Sequence, residues 1–207
     1  MKRIILLLFL TLLPMSCLQA QQRFIFLFPD FEEGHIHFIN RSVADVRLNF
    51  DALGQTVYYY DGETLMELTN LNMVSRLEAD DRTFVVHDDL LCEAIEREKG
   101  RVLVNWKFKN VNTGSVGALG ATTQSKVEAL HSRSEHSQEM WQKKNDNTYF
   151  FTVGDQEYRV KRLKDLYKAF PQHAAALKAF AKENELTMTN ADDAFRMFDY
   201  LWSILPE

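Results

Sequence analysis

His35 and His37 stand two residues apart in the run Gly34-His35-Ile36-His37-Phe38. On a β-strand that spacing sends both imidazoles to one side, as paired metal ligands require, and Asp30, Glu32 and Glu33 lie close enough in sequence to add oxygen ligands. No second His-rich or Cys-rich element completes a recognisable ligand set, and Ile36 and Phe38 occupy the opposite side. The competing reading is therefore the wet face of a sheet, with a metal site on His35 and His37 kept as the alternative.

Other chemistry-bearing residues are sparser. Gly114, Gly117 and Gly120 follow a strand-like run, but their spacing is G-x-x-G-x-x-G, not G-x-G-x-x-G. The loop ends in Gly120-Ala121-Thr122-Thr123, and the next lysine is Lys126, so neither a dinucleotide cradle nor a P-loop is formed. No G-x-S-x-G elbow occurs, and Gly114-Ser115-Val116-Gly117 misses that spacing by one residue. Cys92 sits in the apolar run Leu90-Leu91-Cys92, which predicts a buried, inert thiol. His131 and His136 lie in a polar stretch beside Arg133 and Glu135, and His87-Asp88-Asp89 reads as a turn. No catalytic constellation and no cofactor follow from these residues. Tyr58-Tyr59-Tyr60 must turn at least one ring away from a core, because neighbours on a strand face opposite sides. Tyr58 and Tyr60 are thus candidates for an exposed aromatic binding surface.

The elements that position these residues follow from the period of the apolar pattern. From Arg23 to Phe108 the period is two, rich in β-branched and aromatic residues. Candidate strands cover Phe24–Phe28, His35–Ile39, Val43–Phe50, Val57–Tyr60, Leu65–Leu68, Val74–Leu77, Thr83–Val86, Leu90–Ile95 and Val102–Phe108. Along Val43–Phe50, the side chains of Val46, Leu48 and Phe50 share one face while Asp45, Arg47 and Asn49 share the other. Asp61-Gly62 between two such runs is a hairpin signal. The connections are too short for parallel crossovers, so the sheet must be antiparallel. A second hairpin spans 147–160, turned by Gly154-Asp155. After Lys161 the period becomes 3.6: Leu163, Leu166, Tyr167 and Phe170 mark one apolar stripe, and Leu177, Phe180 and Ala181 the next. Phe195, Phe198, Leu201 and Leu205 mark the last, behind an Asn190 cap.

The fold expected is mainly β: an antiparallel meander forming a sandwich or partial barrel, with two or three short C-terminal helices packed on it. The chain divides into a signal peptide (1–20), an antiparallel β domain (21–110), a long polar loop (111–146), a β-hairpin completing the sheet (147–160) and a helical segment (161–207).

The first twenty residues carry the targeting signal. Met1-Lys2-Arg3 is a positive start, Ile4–Leu13 an apolar core, and Leu18-Gln19-Ala20 a small-residue cleavage site, the three parts of a secretory signal peptide. A lipid anchor on Cys17 is the weaker alternative, because Pro14-Met15-Ser16 makes a poor lipobox. Elsewhere no apolar stretch approaches the roughly twenty residues of a membrane span. Without Lys2 and Arg3 the 24 basic residues fall to 22 against 29 acidic ones, a balance of −7. That balance lacks the basic stripe by which proteins neutralise phosphates, so neither nucleic acid nor nucleotide is an expected partner.

Several segments together resemble the short exported proteins of unknown function abundant in Bacteroidota. They are Gln19-Ala20-Gln21, the run Ala44–Phe50 followed by Tyr58-Tyr59-Tyr60-Asp61-Gly62, then Asp81-Arg82-Thr83-Phe84, the glycine loop, and Leu166–Pro171 leading to Phe180–Asn184. The resemblance implies a periplasmic, outer-membrane-associated or extracellular location and brings no catalytic residues. The function expected is non-enzymatic binding of an envelope protein or glycan. The alternatives are an extracytoplasmic hydrolase built from unassigned Asp, Glu and His, or the metal-binding protein centred on His35 and His37.

Overall fold

The computed structural model of the chain describes residues 24–116, 122–123 and 138–205. The protein is mainly β, with a large antiparallel sheet, a small second sheet and three C-terminal helices. The strands of the large sheet are β1 (Glu32–Phe38), β2 (Val43–Asp51), β3 (Thr56–Asp61), β4 (Thr64–Glu67), β5 (Val74–Ala79), β6 (Arg82–His87), β7 (Leu90–Arg97) and β8 (Gly100–Asn105). The small sheet is made by β9 (Phe108–Val116), β10 (Thr122–Thr123) and β11 (Gln138–Asn145). The chain then returns to the large sheet as β12 (Thr148–Val153) and β13 (Gln156–Val160). The order β13-β12-β8-β7-β6-β5-β1-β2-β3-β4 is a meander broken twice: where the chain leaves the β4 edge and comes back to pair β5 with β1, and where it returns from the small sheet to pair β12 with β8.

Turn chemistry sets most of the registers. Asp88 and Asp89, between β6 and β7, both have positive φ (48° and 58°), the pattern of a type I′ turn. Gly62 and Gly154 each take a positive φ at the first of two loop positions, as a II′ turn asks of glycine. Gly34 on β1 serves close approach instead: a Cβ there would lie 2.3 Å from the Glu78 carbonyl oxygen on β5.

One face of the sheet is largely apolar from β3 across to β13. In the first part it coils around a core of Ile36, Leu48, Phe50, Val57, Leu77 and Phe84, with Phe28 inserted. The coil is tied where β2 and β8 end, although β7, β6, β5 and β1 lie between them. The Phe108 amide donates to the Ala52 carbonyl (2.9 Å), Gln55 Nε2 to the Trp106 carbonyl (2.8 Å), and Asn105 Nδ2 to Gln55 Oε1 (2.8 Å). The strands do not close into a barrel. In the second part the same face, carrying Val102, Val104, Tyr149, Phe151 and Val160, is covered by α1 (Leu163–Ala169), α2 (Ala174–Glu183) and α3 (Ala191–Ile204). Leu166, Leu177, Phe198 and Leu201 fill that layer, as the 3.6-residue period predicts, and Asn190 caps α3 by accepting the Asp192 amide (2.9 Å).

Three sequence expectations differ from the structure. Phe24–Phe28 makes only an isolated bridge, Phe26 with Asp51, because Pro29 and the bend after it separate the segment from β1. The expected strand Val102–Phe108 breaks after Asn105, where Asn147 Oδ1 accepts the Lys107 amide (3.0 Å), and Phe108 starts a different sheet. Both ends of the polar loop expected over 111–146 are strands: β9 pairs with β11 from Phe108–Asn145 to Val116–Gln138. Polar residues on both sides of these strands leave no apolar period to read. Lys143 and Lys144 accordingly lie in β11, while Gly117, Gly120, His131, Arg133 and His136 fall outside the described residues.

Between the two cores Arg82 on β6 meets Glu93 on β7. The guanidinium donates through Nε to Glu93 Oε1 (2.8 Å) and through its second arm to Oε2, while Trp106 Nε1 donates to Oε2 at 2.5 Å. Phe28, Phe84 and Trp106 rings surround the guanidinium with centroids 5.0, 5.3 and 5.7 Å away. Glu93 is 8% exposed, so removing its partner leaves a buried carboxylate uncompensated. Arg82→Met should lower stability by about 3–5 kcal/mol in urea unfolding. Gly34→Ala should cost roughly 1–3 kcal/mol, because the Glu78 backbone must yield. A neutral result for either would show that β1 and β5, or the two cores, have slack the packing does not reveal.

Candidate functional site

The face opposite the core carries both groups of candidate residues. On β1, His35 is flanked by Asp45 of β2 and Glu78 of β5, and His37 by Val43 and Arg76. The two imidazoles share a side, as their spacing demands, with centroids 6.3 Å apart. Each is taken up by its own carboxylate: His35 Nδ1 lies 2.6 Å from Asp45 Oδ1, and His37 Nε2 lies 3.1 Å from Glu78 Oε2. Arg76 Nε bonds the other Glu78 oxygen at 3.0 Å. The His37 hydrogen bond, aided by the charges of Arg76 and the histidines and opposed by desolvation, holds the Glu78 carboxyl below its ordinary range. His35 and Asp45 side chains are 54% and 82% exposed. Among the described residues no group of three or more His, Cys, Asp and Glu converges as a metal site. The array is a solvated polar face.

Beside it lies a cluster of aromatic rings. Tyr58 and Tyr60 on β3 project to this outer face, opposite Asn49 and Arg47 of β2 on one side and Glu67 and Leu65 of β4 on the other. Tyr59 turns inward against the core. The N-terminal segment lays three more rings here: Phe24 and Phe26 lie 5.2 and 6.1 Å from Tyr58, and Phe31 lies 4.9 Å from Tyr60. Phe24 stacks on Phe26 (5.3 Å), and the Arg47 guanidinium stands 5.7 Å from the Tyr60 ring centre. Burial, and then the charges of Glu67 and Asp51, push the Tyr58 hydroxyl above its ordinary pKa. Phe24 and Leu65 keep 39% and 45% of their surface exposed, so the cluster opens to solvent rather than closing into a core.

Two buried polar side chains of β2 hold this segment in place. Asn49 accepts the Phe28 amide (3.1 Å) and donates to the carbonyls of Phe28 (2.9 Å) and Asp30 (2.7 Å). Asp51 accepts the amides of Ile25 (2.9 Å), Leu53 (3.0 Å) and Gly54 (3.1 Å). Period-two reading places Asn49 correctly on the outer face but gives no sign that a non-strand segment buries it there. Nothing local to β2 signals that partner, 21 residues upstream.

The remaining groups are paired or inert. His87 Nε2 meets Glu157 Oε1 at 3.0 Å, and its ring packs on Phe150. An open groove of about 430 Å³ lies between the strand ends and α1. In it Asp146 bridges Lys109 (2.7 Å) and Lys161 (3.2 Å). Desolvation raises that carboxyl, the two lysine hydrogen bonds outweigh it, and the net direction is down. Arg162 and Asp165 in the same groove bond each other. Gly114 sits within β9 opposite Met140. Among the described residues no serine or cysteine side chain hydrogen-bonds a histidine ring, and no helix is long and apolar enough to cross a membrane. No protein-family model matches the chain, and neither a curated protein nor a solved structure does.

Cys92 is fully buried, and desolvation, with Asp88 assisting and Arg159 opposing, pushes its thiol up to about 12. The thiolate is the reactive form, so iodoacetamide at pH 8 should leave Cys92 unmodified until the chain is unfolded. Peptide mass spectrometry reads this directly, and rapid labelling of the native protein would contradict the burial.

Proposed function

We propose that this protein is a non-enzymatic, exported component of the cell envelope that binds a protein or glycan partner through the sheet face carrying Tyr58 and Tyr60. One observation carries the reading: five aromatic rings, Phe24, Phe26, Phe31, Tyr58 and Tyr60, gather on the outer face of the sheet and stay partly open to solvent. Monomeric proteins seldom leave contiguous apolar surface uncovered without using it, and tyrosine flanked by arginine is typical of residues that anchor an interface. The face is an open surface, suited to recognition more than to holding a reacting group away from water. Export is supported by the charged, apolar and small-residue order of the first twenty residues. The resemblance to exported Bacteroidota proteins points to the same compartment.

The test is a comparative capture experiment from the native envelope with wild-type protein and the double variant Tyr58→Ser/Tyr60→Ser. Both rings lie partly exposed, so the variant should fold, which circular dichroism verifies. Loss of anchors of this kind typically weakens binding by about tenfold or more. Partners retained equally by wild type and variant would remove the aromatic face from the function.

A further inference from the structure

We infer that β4 is an edge built to receive an added strand from a basic, extended segment of a partner protein. The inference rests on the aromatic-face reading above and deepens it by naming the chemistry of the partner. β4 ends the large sheet, and all four of its side chains are exposed. At the other end of the sheet, β13 has α1 packed against it. Among the described elements β4 is the end strand of the large sheet whose side chains are all exposed.

The hydrogen-bond alternation shows which backbone groups are on offer. The Leu68 amide donates to the Val57 carbonyl (2.9 Å), so Val57 and Leu68 form a hydrogen-bonded pair. Antiparallel pairs alternate between hydrogen-bonded and open, so Met66 and Thr64 also turn their backbone groups toward β3. Leu65 and Glu67 then turn theirs outward. An incoming strand bonds the amides and carbonyls of these two residues, and its residue opposite Leu65 places its side chain on the aromatic face, beside Leu65 and Tyr60.

Charge selects the occupant. Glu67 stands on the aromatic side beside Tyr58, and Glu63, in the turn that leads into β4, lies two residues before Leu65. The turn and edge together therefore read acidic, apolar, acidic, a pattern complemented by basic, apolar, basic in either strand direction. The same pattern works against a second copy of this chain. The antiparallel register that pairs all of 63–67 sets Glu63 against Glu67 of the copy twice, and like charges directly opposite are destabilising.

The probe is a capped synthetic peptide with lysine at alternate positions on either side of a tyrosine, separated by valines, added to the full chain and followed by NMR-detected amide exchange. The expected result is at least tenfold slower exchange at Leu65 and Glu67 in the peptide complex, with Met66 unchanged because its amide already faces β3. Leu65→Pro deletes the outward donor without removing a bond to β3, a position where edge strands tolerate proline, and should weaken the peptide at least tenfold. Glu63→Lys/Glu67→Lys should reverse the preference toward a peptide with glutamates in place of the lysines. Unchanged exchange at Leu65 and Glu67 at millimolar peptide overturns the inference without needing any variant. Binding that Tyr58→Ser/Tyr60→Ser abolishes but Leu65→Pro leaves intact also overturns it, as does binding of an envelope polysaccharide alone. In both cases the aromatic-face function survives. Loss of the aromatic-face function itself is read separately, from envelope capture that Tyr58→Ser/Tyr60→Ser leaves unchanged.

Discussion

The contact between Arg82, Glu93 and Trp106 is the joint on which the rest of the sheet turns. A carboxylate with 8% of its surface exposed needs a complete set of donors, since a half-satisfied buried charge is worse than none. Arg82 supplies two and Trp106 a third. The guanidinium in turn is walled by Phe28, Phe84 and Trp106, so the pair fixes β6, β7, the link after β8 and the end of the N-terminal segment relative to one another. Trp106 touches both hydrophobic cores, and the ion pair sits at their seam. A hydrophobic replacement of the whole trio could hold the same elements together with no loss of stability, but it would not orient them. The forked geometry requires Arg82 to reach diagonally to Glu93, which stands opposite Phe84 on the neighbouring strand, and this constrains the coil of the sheet at that point.

That constraint reaches the outer face. Phe28 is held in the core by its contact with Arg82 and by Asn49, and four and two residues earlier the same segment carries Phe24 and Phe26 over Tyr58. The aromatic cluster is thus a consequence of inner packing: the segment cannot lift from the outer face without withdrawing a ring from the core. Asn49 and Asp51 serve the same end by satisfying backbone groups that no neighbouring strand reaches, since β1 starts only at Glu32. A face whose rings are held this way loses little conformational entropy when a partner binds.

The polar groups elsewhere follow a different rule. His35 with Asp45, His37 with Glu78, His87 with Glu157 and the lysines around Asp146 are each neighbours across strands or strand ends, and each carboxylate is engaged by its own local partner. Charges distributed in local pairs stabilise little and present no large field, leaving the acidic residues flanking β4 as the charge feature next to exposed apolar surface.

Much of this was legible in the residues alone, and the division has a physical basis. Alternation over β1–β8 reports that one side of each strand meets an apolar layer, and the change to a 3.6-residue period after Lys161 reports the same for helices. Turn residues such as Asp88-Asp89, Gly62 and Gly154 report where strands reverse, because few residue types accept positive φ. The shared side of His35 and His37, and of Tyr58 and Tyr60, follows from geometry that every strand obeys. Which strands become neighbours is not local information. The return of β5 to β1, the burial of Asn49 and Asp51 beneath a segment that never becomes a full strand, and the burial of Glu93 beneath Arg82 and Trp106 arise from long-range contacts. The strands β9 and β11 escaped for a related reason: polar on both sides, they are held by backbone pairing that leaves no mark on composition. The exposure of β4 is of the same kind. Its sequence reads like any other strand, and only the order of the sheet leaves it at the edge.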